Sequence, residues 1–187
     1  MTSIRVFVAV KIPNIGGVEK LYFYLRDKLE HHRIRWIAPE TFHITLKFIG
    51  DIEESSVSLI VDELRQVGEL TAPFVLHVEG CGVFARKQRG GVVWLGVNAP
   101  DSMVHLKGLI EHRLGDFVSS DQQVYRPHLT VGRIKGYKYS LQVNDLISQF
   151  KMKGSHKIQV NKFVLMRSQL SEKGAKYTVI EKFHLGK

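Results

Sequence analysis

His43 and Thr45 stand two residues apart in the apolar run "TFHITLKFIG", and "YRPHLTVGRI" builds the same pair again as His128 and Thr130. A strand turns successive side chains to opposite faces, so each His-Thr pair projects from one face while Ile44 and Leu46, or Leu129 and Val131, project from the other. Two histidines facing one cleft are what in-line displacement at a phosphodiester requires. One neutral imidazole takes a proton from the attacking oxygen, and the other, protonated, gives one to the leaving oxygen. An ordinary imidazole pKa of about 6.5 allows both forms to coexist around neutrality. The threonines on the same faces can aim hydroxyls at the non-bridging phosphate oxygens, where charge builds in the transition state. Arg133 follows the second pair, but a regular pleat puts it on the opposite face, so a twist or bulge is needed to bring it to a phosphate.

A single His-Thr pair would read as a half-buried strand histidine bonded to a neighbour. The repetition, in similar surroundings, shifts the reading to chemistry. Two lone histidines without a helical His pair or a carboxylate cluster do not make a hydrolytic metal site, so neither a metal nor a cofactor is expected.

The elements that must position these residues follow from periodicity. "IRVFVAVKIP" reads as a strand, and after Asn14 the positions Val18, Leu21, Leu25 and Leu29 follow helical spacing. A short strand in "RIRWI" leads to the first His-Thr strand. Ser55 or Ser56 is placed to cap a second helix with Val57, Ile60, Val61, Leu64 and Val67 on one face. Strands in "PFVLHVEGCGVF" and "GVVWLGVNAP" precede a third helix starting near Asp101 or Ser102, with Met103, Leu106, Ile110, Leu114 and Phe117 as its buried stripe. The second His-Thr strand comes next, then a short helix near "VNDLISQF". Strands in "KIQVNKFVLMRSQL" and "KYTVIEKFHL", joined at "SEKGAK" in a hairpin-like connection, close the chain. "VFVAVKIPN" and "VVWLGVNAPD" match in kind: strand, proline, polar cap, helix, loop, His-Thr strand. Residues 1–187 therefore read as one two-lobed domain with an internal pseudo-twofold that sets the two His-Thr faces across one cleft.

The balance of 27 Lys and Arg against 18 Asp and Glu gives a formal charge of +9 and a pI near 9.7, which suits a polyanionic partner such as nucleic acid. The single cysteine, Cys81, rules out an internal disulfide and a cysteine metal cage, and it favours a reducing, cytoplasmic setting. The first strand carries no cleavage-site pattern, and no apolar run is long enough to cross a bilayer. Arg86, Lys87 and Arg89 form a basic loop that can track an RNA backbone or simply be solvated. Trp36, Phe42 and Phe48 can supply a stacking face, although aromatics beside strands are more often core. His105 and His112 fall off the third helix's stripe and belong to the surface, and His31 and His32 are placed to meet the last carbonyls of a helix.

"FHITLKFIG" and "RPHLTVGRI", together with "VFVAVKIP", "RWIAPETFHITLKFIG" and "VVWLGV", resemble the RNA 2′,3′-cyclic phosphodiesterases, also called 2′-5′ RNA ligases, of the 2H phosphoesterase superfamily. The resemblance runs from Ile4 to about Leu185. It implies an α+β fold: two pseudo-symmetric lobes of antiparallel sheet with outer helices around a central cleft. It also implies metal-independent hydrolysis of a 2′,3′-cyclic phosphate at an RNA 3′ end to a 2′-phosphate, with reversible 2′-5′ ligation as the related activity. By position, His43 matches the proton donor and His128 the proton acceptor. Thr45 and Thr130 match the phosphate-binding threonines, and Arg133 a basic residue that follows the second motif. The expected partner is RNA with a cyclic phosphate end, or a related nucleotide, acted on by a monomer without a membrane. The alternative from another class is a nucleotide or RNA 3′-end binding module that uses the same cleft without turnover.

Overall fold

The computed structural model describes residues 2–13, 16–87, 90–115, 117, 124–150, 154–171 and 174–186. Strand β1 (Ser3–Lys11) and helix α1 (Gly16–Lys28) lead to β2 (Ile34–Trp36), β3 (His43–Glu53) and α2 (Val57–Glu69). Then come β4 (Phe74–Arg86), β5 (Gly90–Asn98), α3 (Asp101–Arg113), β6 (His128–Ile134) and α4 (Tyr137–Ser148). The last strands are β7 (His156–Val160), β8 (Lys162–Ser171) and β9 (Gly174–His184).

Two antiparallel sheets result, one in the order β3-β1-β8-β9 and the other β2-β6-β5-β4-β7. Each His-Thr strand pairs with an earlier strand: β3 with β1, and β6 with β5. The next strand inward is exchanged. β4, which follows the first helical pair, joins the second sheet, and β8, which follows the second pair, joins the first. The stretch "KIQVNKFVLMRSQL" divides at Asn161, with β7 completing one sheet and β8 entering the other. Such a crossing ties the two sheets together, and β3 and β6 meet where they adjoin.

The helical stripes bury as their spacing predicts. Val18, Leu21 and Leu25 of α1, Ile60, Leu64 and Val67 of α2, and Met103, Leu106 and Ile110 of α3 enter one core with the inward strand residues. Burying each such side chain contributes about 1.5–3 kcal/mol. Ser56 precedes α2 at the end of a 3-10 turn (Glu54–Ser56) and makes no side-chain cap bond, because its backbone has already entered helical geometry there. The fourth helix begins at Tyr137, six residues before the expected "VNDLISQF" segment, and its Ser140 hydroxyl donates to the Gly136 carbonyl at 2.8 Å. Asn14 and the Glu172–Lys173 part of the last connection lie outside the described residues. No helix among the described residues is long and apolar enough to cross a membrane.

Candidate active site

The two histidines are held by the same device. A 3-10 turn (Pro39–Thr41) precedes β3, and His43 Nδ1 donates to the Thr41 carbonyl at 2.8 Å. Pro127 precedes β6 and disfavours helical backbone at Arg126, whose carbonyl accepts from His128 Nδ1 at 2.7 Å. A carbonyl can only accept, so both Nδ1 atoms carry hydrogen and Nε2 is left as the nitrogen that exchanges a proton.

Each strand then bulges directly after its threonine. In β3, Thr45 pairs with Ala9 and Lys47 with Val8, which leaves Leu46 as an extra residue. In β6, Thr130 pairs with Trp94 and Gly132 with Val93, which leaves Val131 as the extra residue. Two residues opposing one shift the alternation by one position. Arg133 consequently turns outward on the side of His128 and Thr130, between buried Gly132 and Ile134, and the bulge supplies the reorientation the sequence alone left unmet. Phe48 holds the corresponding place after the first bulge and is 69% exposed. Lys47 corresponds to Gly132. A Cβ at Gly132 would come within 2.7 Å of the Ile34 side chain, so the strand that covers this bulge leaves room only for glycine. Among the described residues no strand pairs with the outer edge of β3 at Lys47. The lysine instead extends to Glu111 of α3 (3.2 Å), which also binds Lys107 at 2.6 Å, and Lys47 is only 2% exposed.

A cavity of about 670 Å³ opens between the sheets, lined by Thr45, Phe48, Arg86, Lys107, Arg126 and His128 among others. His43 is not in its lining. It stands two residues before Thr45 on the same face, enclosed by the rings of Phe7 (5.2 Å) and Tyr177 (5.1 Å). His128 meets Phe84 edge-on at 5.0 Å. Tyr125 closes the floor by donating its hydroxyl to the Thr45 carbonyl at 3.1 Å, and burial raises its own pKa. Trp94, paired with Thr130, packs on Phe84 and over Gly82, where a Cβ would come within 2.4 Å of the indole.

Burial lowers the pKa of both imidazoles, against the raising effect of their carbonyl bonds. The positive charges of Arg133, Lys11 and His128 depress His43 further, and that of Arg86 depresses His128. His43 therefore senses Arg133 and His128 electrostatically, and Thr45 and His128 line the cavity. No group of three His, Cys, Asp or Glu side chains that could hold a metal occurs among the described residues.

Over most of its length the chain matches the model of the LigT-like phosphoesterases, through residues 12–94 and 98–177. It belongs to this family. A relative from Methanothermobacter thermautotrophicus, named RNA 2′,3′-cyclic phosphodiesterase, is 30% identical over 185 residues, 98% of this chain and 100% of its own. Another of that name, from Aquifex aeolicus, is 32% identical over 163 residues, 81% of this chain and 82% of its own. Among solved structures, TT0787 of Thermus thermophilus superposes with a TM-score of 0.79 at 23% identity, covering 97% of this chain and 98% of that one. E. coli LigT, solved with 3′-AMP, gives 0.77 at 19% identity over the whole of both chains. The shared fold is the α+β pair of antiparallel sheets that the resemblance implied.

The other sequence readings divide. Arg86 and Lys87 are exposed, with Arg86 in the cavity wall, whereas Arg89 lies outside the described residues. Phe42 is core, and Trp36 packs half-buried against Tyr22. Phe48 departs from the core expectation because the bulge turns it outward. His105 and His112 are exposed. His31 and His32 lie beyond the end of α1 and bind Glu30 and the Tyr139 hydroxyl instead of helix carbonyls. The sequence reading missed Lys47 and Glu111; the one available signal was a lysine at the strand period of His43 and Thr45.

Proposed function

We propose that this chain hydrolyses the 2′,3′-cyclic phosphate end of RNA to a 2′-phosphate, with His43 as general acid and His128 as general base. The observation that carries the reading is the pair of Nδ1–carbonyl bonds, which keeps both Nε2 atoms available for proton exchange whatever the protonation state. Neutral His128 takes a proton from water as the oxygen attacks phosphorus. His43 in its imidazolium form gives a proton to the departing 3′-oxygen, which leaves a 3′-hydroxyl and a 2′-phosphomonoester. Each transfer supplies about 10²–10⁴ in rate. Thr45 and Thr130 hold the non-bridging oxygens and Arg133 balances their charge, without a metal or cofactor. Both histidines come from one chain, so a monomer suffices, and the matched bulges and exchanged strands support a pseudo-twofold duplication within residues 1–187. A 5′-hydroxyl in place of water, expelling the same 3′-oxygen, would leave a 2′-5′ linkage, which is the ligation reading.

The test is incubation with an oligoribonucleotide ending in a 2′,3′-cyclic phosphate, before and after thorough EDTA treatment. A 2′-phosphate product formed equally in both supports the reading. A 3′-phosphate product reverses the leaving group, no product returns the cleft to binding alone, and loss on chelation with recovery on adding a divalent ion restores a metal.

A further inference from the structure

The open face of the first sheet carries a second cationic site beside His43. Lys11 pairs directly with His43 across β1 and β3, so both side chains share a face. That pairing register, extended along β1 and β8, sets Lys11 opposite Lys162, and Lys182 of β9 pairs with Val164 next in line on the same face. The three ammonium groups surround a cavity of about 320 Å³ floored by Val164 and Val179. None of the three has a carboxylate within ion-pair distance among the described residues; the nearby Glu181 pairs with core residue Leu165, which directs it to the sheet's other face. Like charges gathered across strands cost stability, and an anion bound among them would offset that cost.

The stereochemistry of ribose says which anion. On the ring, the carbon bearing the 3′-oxygen adjoins C4′, which leads through C5′ and O5′ to the next backbone phosphate, while the carbon bearing the 2′-oxygen adjoins C1′, which carries the base. With His43 protonating the 3′-oxygen, the 5′ side of the RNA leaves the cleft on the His43 side, and the base turns toward the cavity that holds Phe48. At about 4.8 Å per strand spacing, the lysines extend from one to three strands beyond β3. We infer that Lys11, Lys162 and Lys182 form a subsite for a backbone phosphate on the 5′ side of the reacting nucleotide, so that the preferred substrate is an oligoribonucleotide over a mononucleotide. This inference rests on the cyclic-phosphodiesterase reading and on its assignment of His43 as the acid.

The experiment is fluorescence anisotropy, across a salt series, of the full chain and the K162Q/K182Q variant. The probes are an oligoribonucleotide ending in a 2′-phosphate and the corresponding mononucleoside 2′-phosphate, the latter by competition. The expected result is oligonucleotide binding weakened at least about fivefold, with a log–log salt slope shallower by about 0.7, because one phosphate contact in a single strand is lost. Mononucleotide affinity should change less than about twofold, and the melting temperature should not fall, since mutual repulsion is removed. An unchanged slope, or an equal loss for the mononucleotide, overturns the subsite. Wild-type protein that binds the oligonucleotide through these lysines but leaves cyclic ends intact sinks the catalytic reading while keeping the anion site. Turnover of cyclic ends with an unchanged slope does the reverse.

Discussion

Around His43 the imidazole is crowded between Phe7 and Tyr177, and the strand beyond it carries a buried Lys47 and an exposed Phe48. Around His128 one ring among the described residues, Phe84, flanks a more open imidazole, and the same two strand positions hold Gly132 and Arg133. What the two regions share is narrow: a histidine bonded through Nδ1 to a carbonyl two residues back, a threonine, and a bulge. The shared parts are those that acid-base chemistry at a phosphate needs. The parts that differ would handle the substrate, with a guanidinium for charge on one side and an open ring for a base on the other. The difference also distinguishes the imidazoles, because His43 feels three nearby positive charges and His128 feels one.

The largest effects should come from the shared parts. His43→Ala and His128→Ala should each lower kcat by at least about 10²-fold, with the more open His128→Ala leaving the melting temperature nearly unchanged. Near-normal turnover in either variant would break the pairing of the two regions.

Intermediate effects should separate the differing parts. Arg133→Gln should lower kcat by roughly tenfold or more, having removed charge stabilisation that grows in the transition state. Phe48→Ala should raise KM with little change in kcat, by about fivefold or more if one base stacks there. A KM effect for Arg133 and a kcat effect for Phe48 would invert the division of labour. The smallest effect on chemistry belongs to Glu111→Gln, which weakens the partner of an ammonium buried under the cavity. Its signature should be a loss of about 2 kcal/mol in denaturant unfolding, while Lys47→Met costs less because it removes the buried charge itself. Equal stability in both variants would make the Lys47–Glu111 pair incidental.

The strands, the helical stripes and the two His-Thr faces were legible because they depend on periods of two and 3.6 residues within short windows. Arg133 and Phe48 were not placed by the same rule. A bulge is decided by how two distant strands register, and a period of two carried through residues 46 and 131 puts Phe48 and Arg133 on the wrong face. Lys47 reads as one more polar strand residue until α3 brings Glu111 to it from 64 positions along the chain. The exchange of β4 and β8 between sheets is likewise a matter of long-range pairing. The first turns of α4, in "YKYSLQ", lack an apolar stripe because buried Ser140 takes the inward place that a hydrophobe would mark.

The most direct test of the paired acid and base is the pH dependence of kcat/KM for a cyclic-phosphate oligonucleotide, in the wild type and in both histidine variants. Burial and neighbouring cations lower both imidazole pKa values, so the proposed base stays neutral to lower pH than an ordinary imidazole and the proposed acid loses its proton earlier as pH rises. The wild type should trace a bell with its optimum on the acid side of neutrality. A bound phosphate favours imidazolium, so the alkaline limb should lie higher in kcat than in kcat/KM. The limbs belong to the coupled pair in the wild type. In the residual activity of the variants they should separate: His128→Ala should lose the acid limb and His43→Ala the alkaline one. A full bell retained in both variants would contradict the account, because the titrating groups would then lie outside the two His-Thr strands.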